Sequence, residues 1–143
     1  LIKSFGSSVN GLGSLLDISA KHNKIESIGE SDFKGLKSLE TLLLDDNKIS
    51  YIHKNAFSDF KKLQQLMLGH SNFPELPTLG LQTVKKLSIE ENSKLAKFPS
   101  PRHLPSIESL HLYYPYHCCA FLNKKHDPRN DHDNSNVTEV STL

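Results

Sequence analysis

The chain has 143 residues, the length of one domain, and 17 lysines and arginines nearly balance 16 aspartates and glutamates. This balance argues against nucleic acid as a partner, because counterion release from a phosphate backbone needs a clear basic excess. The apolar runs are far shorter than the ~20 residues that cross a bilayer, and residues 1–15 lack the pattern of an export signal, so neither feature is expected in the chain as it stands.

Residues 1–14 are predicted to be a partial repeat. Val9, Gly11 and Leu12 match the residues found 24 positions later, which belong to the first complete repeat. We therefore expect the solenoid to begin in the middle of a repeat, without a terminal cap on that side.

About five repeats follow, each opening on the pattern L-x-x-L-x-L-x-x-N-x-I or a close variant. They begin at Leu15, Leu39, Leu63, Val84 and Ile107, with spacings of 24, 24, 21 and 23 residues. This pattern and period are typical of leucine-rich repeats, whose length ranges from ~20 to ~29 residues. The predicted fold class is an α/β-type repeat over residues 1–113: a curved solenoid with short parallel strands on its concave face, an irregular or short helical convex side, and a disordered C-terminal tail.

The same pattern predicts the core. Alternate apolar residues of each L-x-L strand should point inward, and the phenylalanines of the second half of each repeat should pack behind them. The repeated asparagines Asn23, Asn47 and Asn92 are predicted to be buried and to satisfy backbone groups of the turns. The third repeat has Ser71 in place of this asparagine, and its prolines predict an extended convex segment.

Spacing also predicts which side chains face outward from the strands. Leu43 beside Met67 gives an apolar pair flanked by acidic residues, an arrangement that suits a protein partner. An equally simple interpretation is that the acidic residues only solvate this face. The predicted partner-binding residues are Leu43, Asp45, Asp46, Gln65, Met67, Lys86, Ser88, Glu90, Glu91, His111 and Tyr113.

The periodicity stops after Leu112. Cys118 and Cys119 are adjacent, a spacing that rarely permits a mutual disulfide, so their partners are expected outside this chain. The cysteines could instead be zinc ligands, but their spacing is not that of a closed zinc module. Neither a metal nor another cofactor is therefore predicted. Residues 122–143 are polar, contain the glycosylation sequon at Asn136, and are predicted to be a flexible linker. No catalytic motif occurs, so the chain is not predicted to be an enzyme.

The eight residues from Tyr114 to Phe121 read Tyr-Pro-Tyr-His-Cys-Cys-Ala-Phe. This run, placed directly after leucine-rich repeats, resembles the junction of repeat domain and hinge in leucine-rich-repeat G-protein-coupled receptors, and above all in their glycoprotein hormone receptor branch. The resemblance extends from about Leu81 to Lys125. It implies that 114–121 is the hinge junction, that 122–143 is a hinge linker, and that the chain is a fragment of a longer receptor.

The resemblance also implies partners and a location. The concave face would bind a cystine-knot glycoprotein hormone on the extracellular side of the plasma membrane. Cys118 and Cys119 would form disulfides with cysteines further along the hinge, which would couple the repeats to the receptor's own transmembrane domain and its G protein. Tyr116 departs from the serine expected in this branch, so related receptors for R-spondins or bursicon-like ligands remain an alternative. A secreted leucine-rich structural or matrix protein is the other.

Overall fold

In a computed structural model, residues 1–112 and the backbone of residues 139–142 are described. Eight short strands and one 3-10 helix make up the regular structure of these residues. In chain order they are β1 (Asp17–Ser19), β2 (Ser27–Ile28), β3 (Thr41–Leu43), β4 (Tyr51–Ile52), β5 (Gln65–Met67), β6 (Lys86–Ser88), the 3-10 helix Pro101–His103, β7 (Ser109–Leu112) and β8 (Glu139–Thr142).

The main sheet is parallel throughout and has the order β1-β3-β5-β6-β7-β8. Each step from β1 to β7 moves by one repeat, so that Ile18 lies beside Leu42, which in turn lies beside Leu66. The second sheet contains β2 and β4, also parallel, on the far side of the core. The predicted leucine-rich-repeat solenoid is confirmed, with turns and extended segments in place of α-helix in the described part of its convex side.

The core runs continuously between the two sides of the solenoid. Leu42, Leu44, Leu66 and Leu68 have no exposed surface, as expected for the inward positions of the repeat. Behind them the predicted phenylalanines stack along the solenoid, with the rings of Phe33 and Phe57 6.2 Å apart. Phe5, which the repeat pattern does not predict as a core residue, is buried against Phe33 at a ring distance of 4.8 Å. Phe5 thus seals the core at its N-terminal end, and Leu12, which matches the buried Leu36, is 50% exposed there.

The asparagine ladder, formed by Asn23, Asn47 and Asn92, connects neighbouring turns. Asn47 Nδ2 donates to the carbonyls of Ala20 and Leu44 at 2.9 and 2.8 Å, and its Oδ1 accepts from Ile25 N at 3.0 Å. Asn92 donates in the same way but, within the described residues, its Oδ1 has no partner. Asn23 is only half-buried, in contrast to the prediction, because the partial repeat of residues 1–14 covers it incompletely on the N-terminal side, where Ile2 N donates to its Oδ1 at 2.8 Å.

The third repeat interrupts this ladder. The hydroxyl of Ser71 is buried and has no hydrogen-bond partner among the described residues, because serine is too short to repeat the bonds of an asparagine. Its convex segment is extended, as the prolines predict. In the fourth repeat a turn closed by Leu95 N and Asn92 O, 3.1 Å apart, takes up the one additional residue.

Strand β8 was not predicted, because residues 139–142 were assigned to a flexible linker. It pairs in parallel with β7 and brings Val140 beside Leu110. Val140 and Thr142 are β-branched residues, which favour strands, but the tail as a whole is polar and for that reason is predicted to be a linker. The assignment of residues 122–143 to a linker stays a prediction, and residues 113–138 and 143 lie outside the described part of the chain.

Candidate functional site on the concave face

The outward side chains of the main sheet form columns that cross the strands. The central column contains Ser19, Leu43, Met67, Ser88 and His111, which are direct neighbours in the strand register. Parallel strands lie ~4.8 Å apart, so side chains in one column touch their neighbours or nearly do so. Repeat spacing alone therefore places the predicted residues of this column correctly.

A depression of about 380 Å³ lies over the middle of the concave face. Eight of the predicted partner-binding residues line it, together with three that were not selected from the sequence. The predicted ones are Leu43, Asp45, Asp46, Gln65, Met67, Ser88, Glu90 and His111, and the additional ones are Lys21, His22 and His70. Repeat spacing places these three residues on the concave face as well, although they were not among the selected partner-binding residues.

Two of the predicted residues in the described part of the chain do not line the depression. Lys86 and Glu91 are exposed beside it. Tyr113, Cys118, Cys119 and the sequon at Asn136 lie outside the described residues. The depression thus contains the centre of the predicted surface, and the charged side chains of Lys86 and Glu91 lie outside it, exposed to solvent.

Burial limits the exposed surface of the central column. Leu43 and Met67 are half-buried and present only part of their apolar surface. Ser88 is 5% exposed yet lines the depression, and its contact with a partner stays a prediction. Ser88 therefore forms the floor of the depression.

Asp45 is also tied into the solenoid. Its Oδ2 lies 2.8 Å from Lys21 Nζ, its Oδ1 accepts from Gly69 N at 3.1 Å, and its side chain is 14% exposed. A Cβ at position 69 would lie 3.2 Å from the Asp45 carboxylate and from Glu90, so this glycine makes room for both acids. Asp45 therefore helps to position the turn in addition to lining the depression, and its contact with a partner stays a prediction.

The column beside Asp45 has an unusual backbone. His22, Asp46, His70 and Glu91 have φ values of 54°, 58°, 55° and 53°. This left-handed conformation is rare for residues other than glycine, although histidine and aspartate tolerate it better than most. Each of these residues directly precedes the asparagine position of its repeat, where the chain turns out of the strand. The turn thereby aligns their side chains along one rim, where His22 Nδ1 lies 3.1 Å from Asp46 Oδ2.

The charges on this face favour a basic partner. With histidines neutral, Lys21 and the acids Asp45, Asp46 and Glu90 give the depression an excess of two negative charges. Neither Glu90 nor Glu91 forms an ion pair within residues 1–112. These two carboxylates therefore remain available to a positively charged surface.

In the described part of the chain no group of three or more histidine, cysteine, aspartate or glutamate side chains could hold a metal ion. Over the same residues, no helix has the length and apolar character needed to span a bilayer.

Comparison with known proteins supports the fold and gives a partial relationship. The leucine rich repeat family model matches residues 7–73. Over 48 residues, 34% of this chain, the sequence is 42% identical to the follicle-stimulating hormone receptors of Bos taurus, Equus caballus and Homo sapiens. The match spans only 7% of the length of these relatives. The chain is thus a leucine-rich-repeat solenoid related in sequence, over a third of its length, to follicle-stimulating hormone receptors.

Proposed function

We propose that the concave face binds a cystine-knot glycoprotein hormone, and that the chain is part of the extracellular ligand-binding region of a G-protein-coupled receptor. The observation that carries this proposal is the acidic depression around Leu43 and Met67. An apolar centre with a charged rim is the arrangement that protein interfaces use. The partial similarity to follicle-stimulating hormone receptors supports the choice of a hormone as the partner.

Different parts of this surface have different tasks. Leu43 and Met67 supply the apolar contact, while Asp46, Glu90 and Glu91 attract and orient a basic surface of the hormone. Rim charges act mainly on the association rate and on its dependence on salt. Binding should therefore weaken as ionic strength rises.

The test is a charge reversal with a matched control. In the variant Glu90→Lys/Glu91→Lys, affinity for a bound hormone should fall about tenfold, because two favourable rim contacts become repulsive. The control Glu26→Lys/Glu30→Lys makes the same change in net charge at two exposed acids outside the depression. Surface plasmon resonance with a panel of glycoprotein hormones, R-spondins and bursicon-like proteins measures both.

Each result decides a specific part of the proposal. Binding of a glycoprotein hormone that only the concave variant weakens supports it. Equal affinity of the two variants would remove Glu90 and Glu91 from the site. Binding of R-spondins or bursicon-like proteins alone would favour the related receptors, and binding of no panel member would leave the matrix-protein alternative as the better one.

The remaining parts of the proposal concern the rest of the receptor. Cys118 and Cys119 pair with cysteines outside this chain, Asn136 carries a glycan, and the repeats act on the receptor's own transmembrane domain and G protein from the extracellular side. A transcript that encodes seven apolar segments and further cysteines after residue 143 would support this arrangement. A stop codon without them would contradict it.

A further inference from the structure

The second sheet ends at β4, and the backbone hydrogen bonds show how. The second repeat is bonded to the first by Lys48 N to Ile25 O at 2.9 Å, Ser50 N to Glu26 O at 2.9 Å, and His53 N to Ile28 O at 2.8 Å. Three donors, at positions 48, 50 and 53, thus attach this part of one repeat to the preceding one.

In the third repeat two of these three donors are missing. The equivalent residues, 24 positions later, are Asn72, Pro74 and Pro77. Asn72 N still donates to Ile49 O, at 2.8 Å. A proline has no N–H, so neither Pro74 nor Pro77 can continue the ladder. The third repeat therefore separates from β4 after its first bond.

The third repeat bonds instead to the fourth. Pro74 O accepts from Ala96 N at 2.9 Å and Lys97 N at 3.3 Å, and Glu75 forms a parallel bridge with Lys97. Within the described residues, no backbone hydrogen bond joins positions 50–53 to positions 73–77. His53 N points toward β2, and alternate residues of a strand bond on opposite sides, so the N–H and C=O of Ile52 point toward the third repeat. The edge of β4 is thus open.

A groove of about 540 Å³ lies at this open edge, lined by Tyr51, Ile52, His53, Lys54, Pro74, Glu75 and Pro77. Tyr51 is 54% exposed. Its ring meets the His53 ring edge-on at 6.5 Å. Lys54 has no ion-pair partner in the described residues, whereas the Glu75 carboxylate lies 3.6 Å from Lys97 Nζ. The lining thus carries one positive charge, that of Lys54, and one negative charge that Lys97 offsets, on an otherwise apolar and aromatic wall.

We propose that this groove binds an extended peptide segment of a second protein partner, rich in apolar and acidic residues, which adds as a strand to β4. The free N–H and C=O of Ile52 supply main-chain hydrogen bonds, which give affinity in strand addition. Tyr51 and the two prolines contact an apolar side chain, and Lys54 attracts a carboxylate. The groove belongs to the second sheet, so this partner does not compete for the concave face.

The test uses a short synthetic peptide, blocked at both ends, in which valine and glutamate alternate. Two control peptides replace every glutamate with lysine, or methylate alternate backbone nitrogens to remove their donors. Binding to the full chain is followed by NMR, and hydrogen exchange of the Ile52 amide reports directly on β4. The parent peptide should protect this amide, and both control peptides should bind at least about fivefold more weakly.

Two variants of the chain complete the test. Lys54→Glu should weaken binding of the parent peptide about fivefold, whereas Lys48→Glu, an exposed lysine outside the groove, should leave it unchanged. Pro74→Ser/Pro77→His places the residues of the second repeat in the third, restores both donors and should abolish peptide binding. If the proline variant does not fold, the lysine pair and the Ile52 amide still decide the question.

Several results would overturn the proposal. They are an Ile52 amide that the parent peptide leaves unprotected, a methylated peptide that binds as tightly as the parent, or equal effects of the two lysine variants. Protection of Ile52 that rises with protein concentration in the absence of peptide would also overturn it, because a second copy of the chain would then occupy the edge.

Discussion

Removal of the Asn47 amide tests whether the asparagine ladder holds the repeats together. In Asn47→Ala, the N–H of Ile25 and the C=O of Leu44 lose the side-chain partner seen in the structure. The carbonyl of Ala20 keeps a second donor, because Asn23 Nδ2 lies 3.1 Å from it. Two buried backbone groups are thus left without partners.

The expected loss follows from these two groups. A buried donor or acceptor without a partner costs about 1–3 kcal/mol. Asn47 is only 6% exposed, so water can relieve little of this cost. We expect Asn47→Ala to lower the free energy of unfolding by about 3 kcal/mol and the melting temperature by about 10 °C.

Asn23→Ala is the matched control, since it removes the same side chain from the same position of a repeat. Asn23 bonds to backbone groups at the N-terminal edge, where water can replace it, so its removal should cost less than about 1 kcal/mol. Urea unfolding of both variants, followed by circular dichroism, measures the difference, and an unchanged slope shows that the unfolded states are comparable. An Asn47→Ala loss no larger than that of Asn23→Ala would refute the structural role of the ladder.

Three further predictions concern single positions. Ser71→Asn restores the ladder and should stabilise the chain by about 1 kcal/mol in urea unfolding, and a lower midpoint would contradict it. Gly80→Ala should lower the free energy of unfolding by more than about 2 kcal/mol, because φ is +87° and the new Cβ would overlap a backbone carbonyl. Gly11→Ala, where φ is +77° and the space around the new Cβ is open, should lower it by only about 1 kcal/mol in the same assay. The hydrogen bond from Asn55 lowers the pKa of Glu30. The stability that this bond adds is therefore fully present above the unfolded-state pKa and is lost as the pH falls through the folded-state pKa. Asn55→Ala should raise the pKa of Glu30 in a carboxyl NMR titration, and an unchanged titration would contradict the bond.

Much of this fold follows from the period of the sequence. A strict repeat of inward leucines fixes both the strands and their register, since any shift would move apolar side chains into water. The position of Met67 beside Leu43 could therefore be predicted without a structure. Phe5 could not, because it belongs to a segment with too little of the pattern to reveal the repeat.

Burial and pairing at the site could not be predicted in the same way. Ser88 occupies an outward position, yet the size of its neighbours decides how much of it remains exposed. Repeat spacing puts Lys21 and Asp45 in one column, but whether they pair depends on the conformation of their side chains at the turn, where Gly69 leaves the space. These are properties of three-dimensional contact between repeats, and the spacing of residues along the chain does not contain them.

The interruptions of the third repeat leave the concave face intact. Ser71 breaks the asparagine ladder and the two prolines end the second sheet, yet the main sheet continues through the same repeat, with Leu44 N bonded to Met67 O and Leu68 N to Ser88 O, both at 2.8 Å. In a solenoid each repeat contacts only its neighbours, so one side can change while the other keeps its register. A concave surface for one partner and a strand edge for another can therefore coexist within the same few repeats.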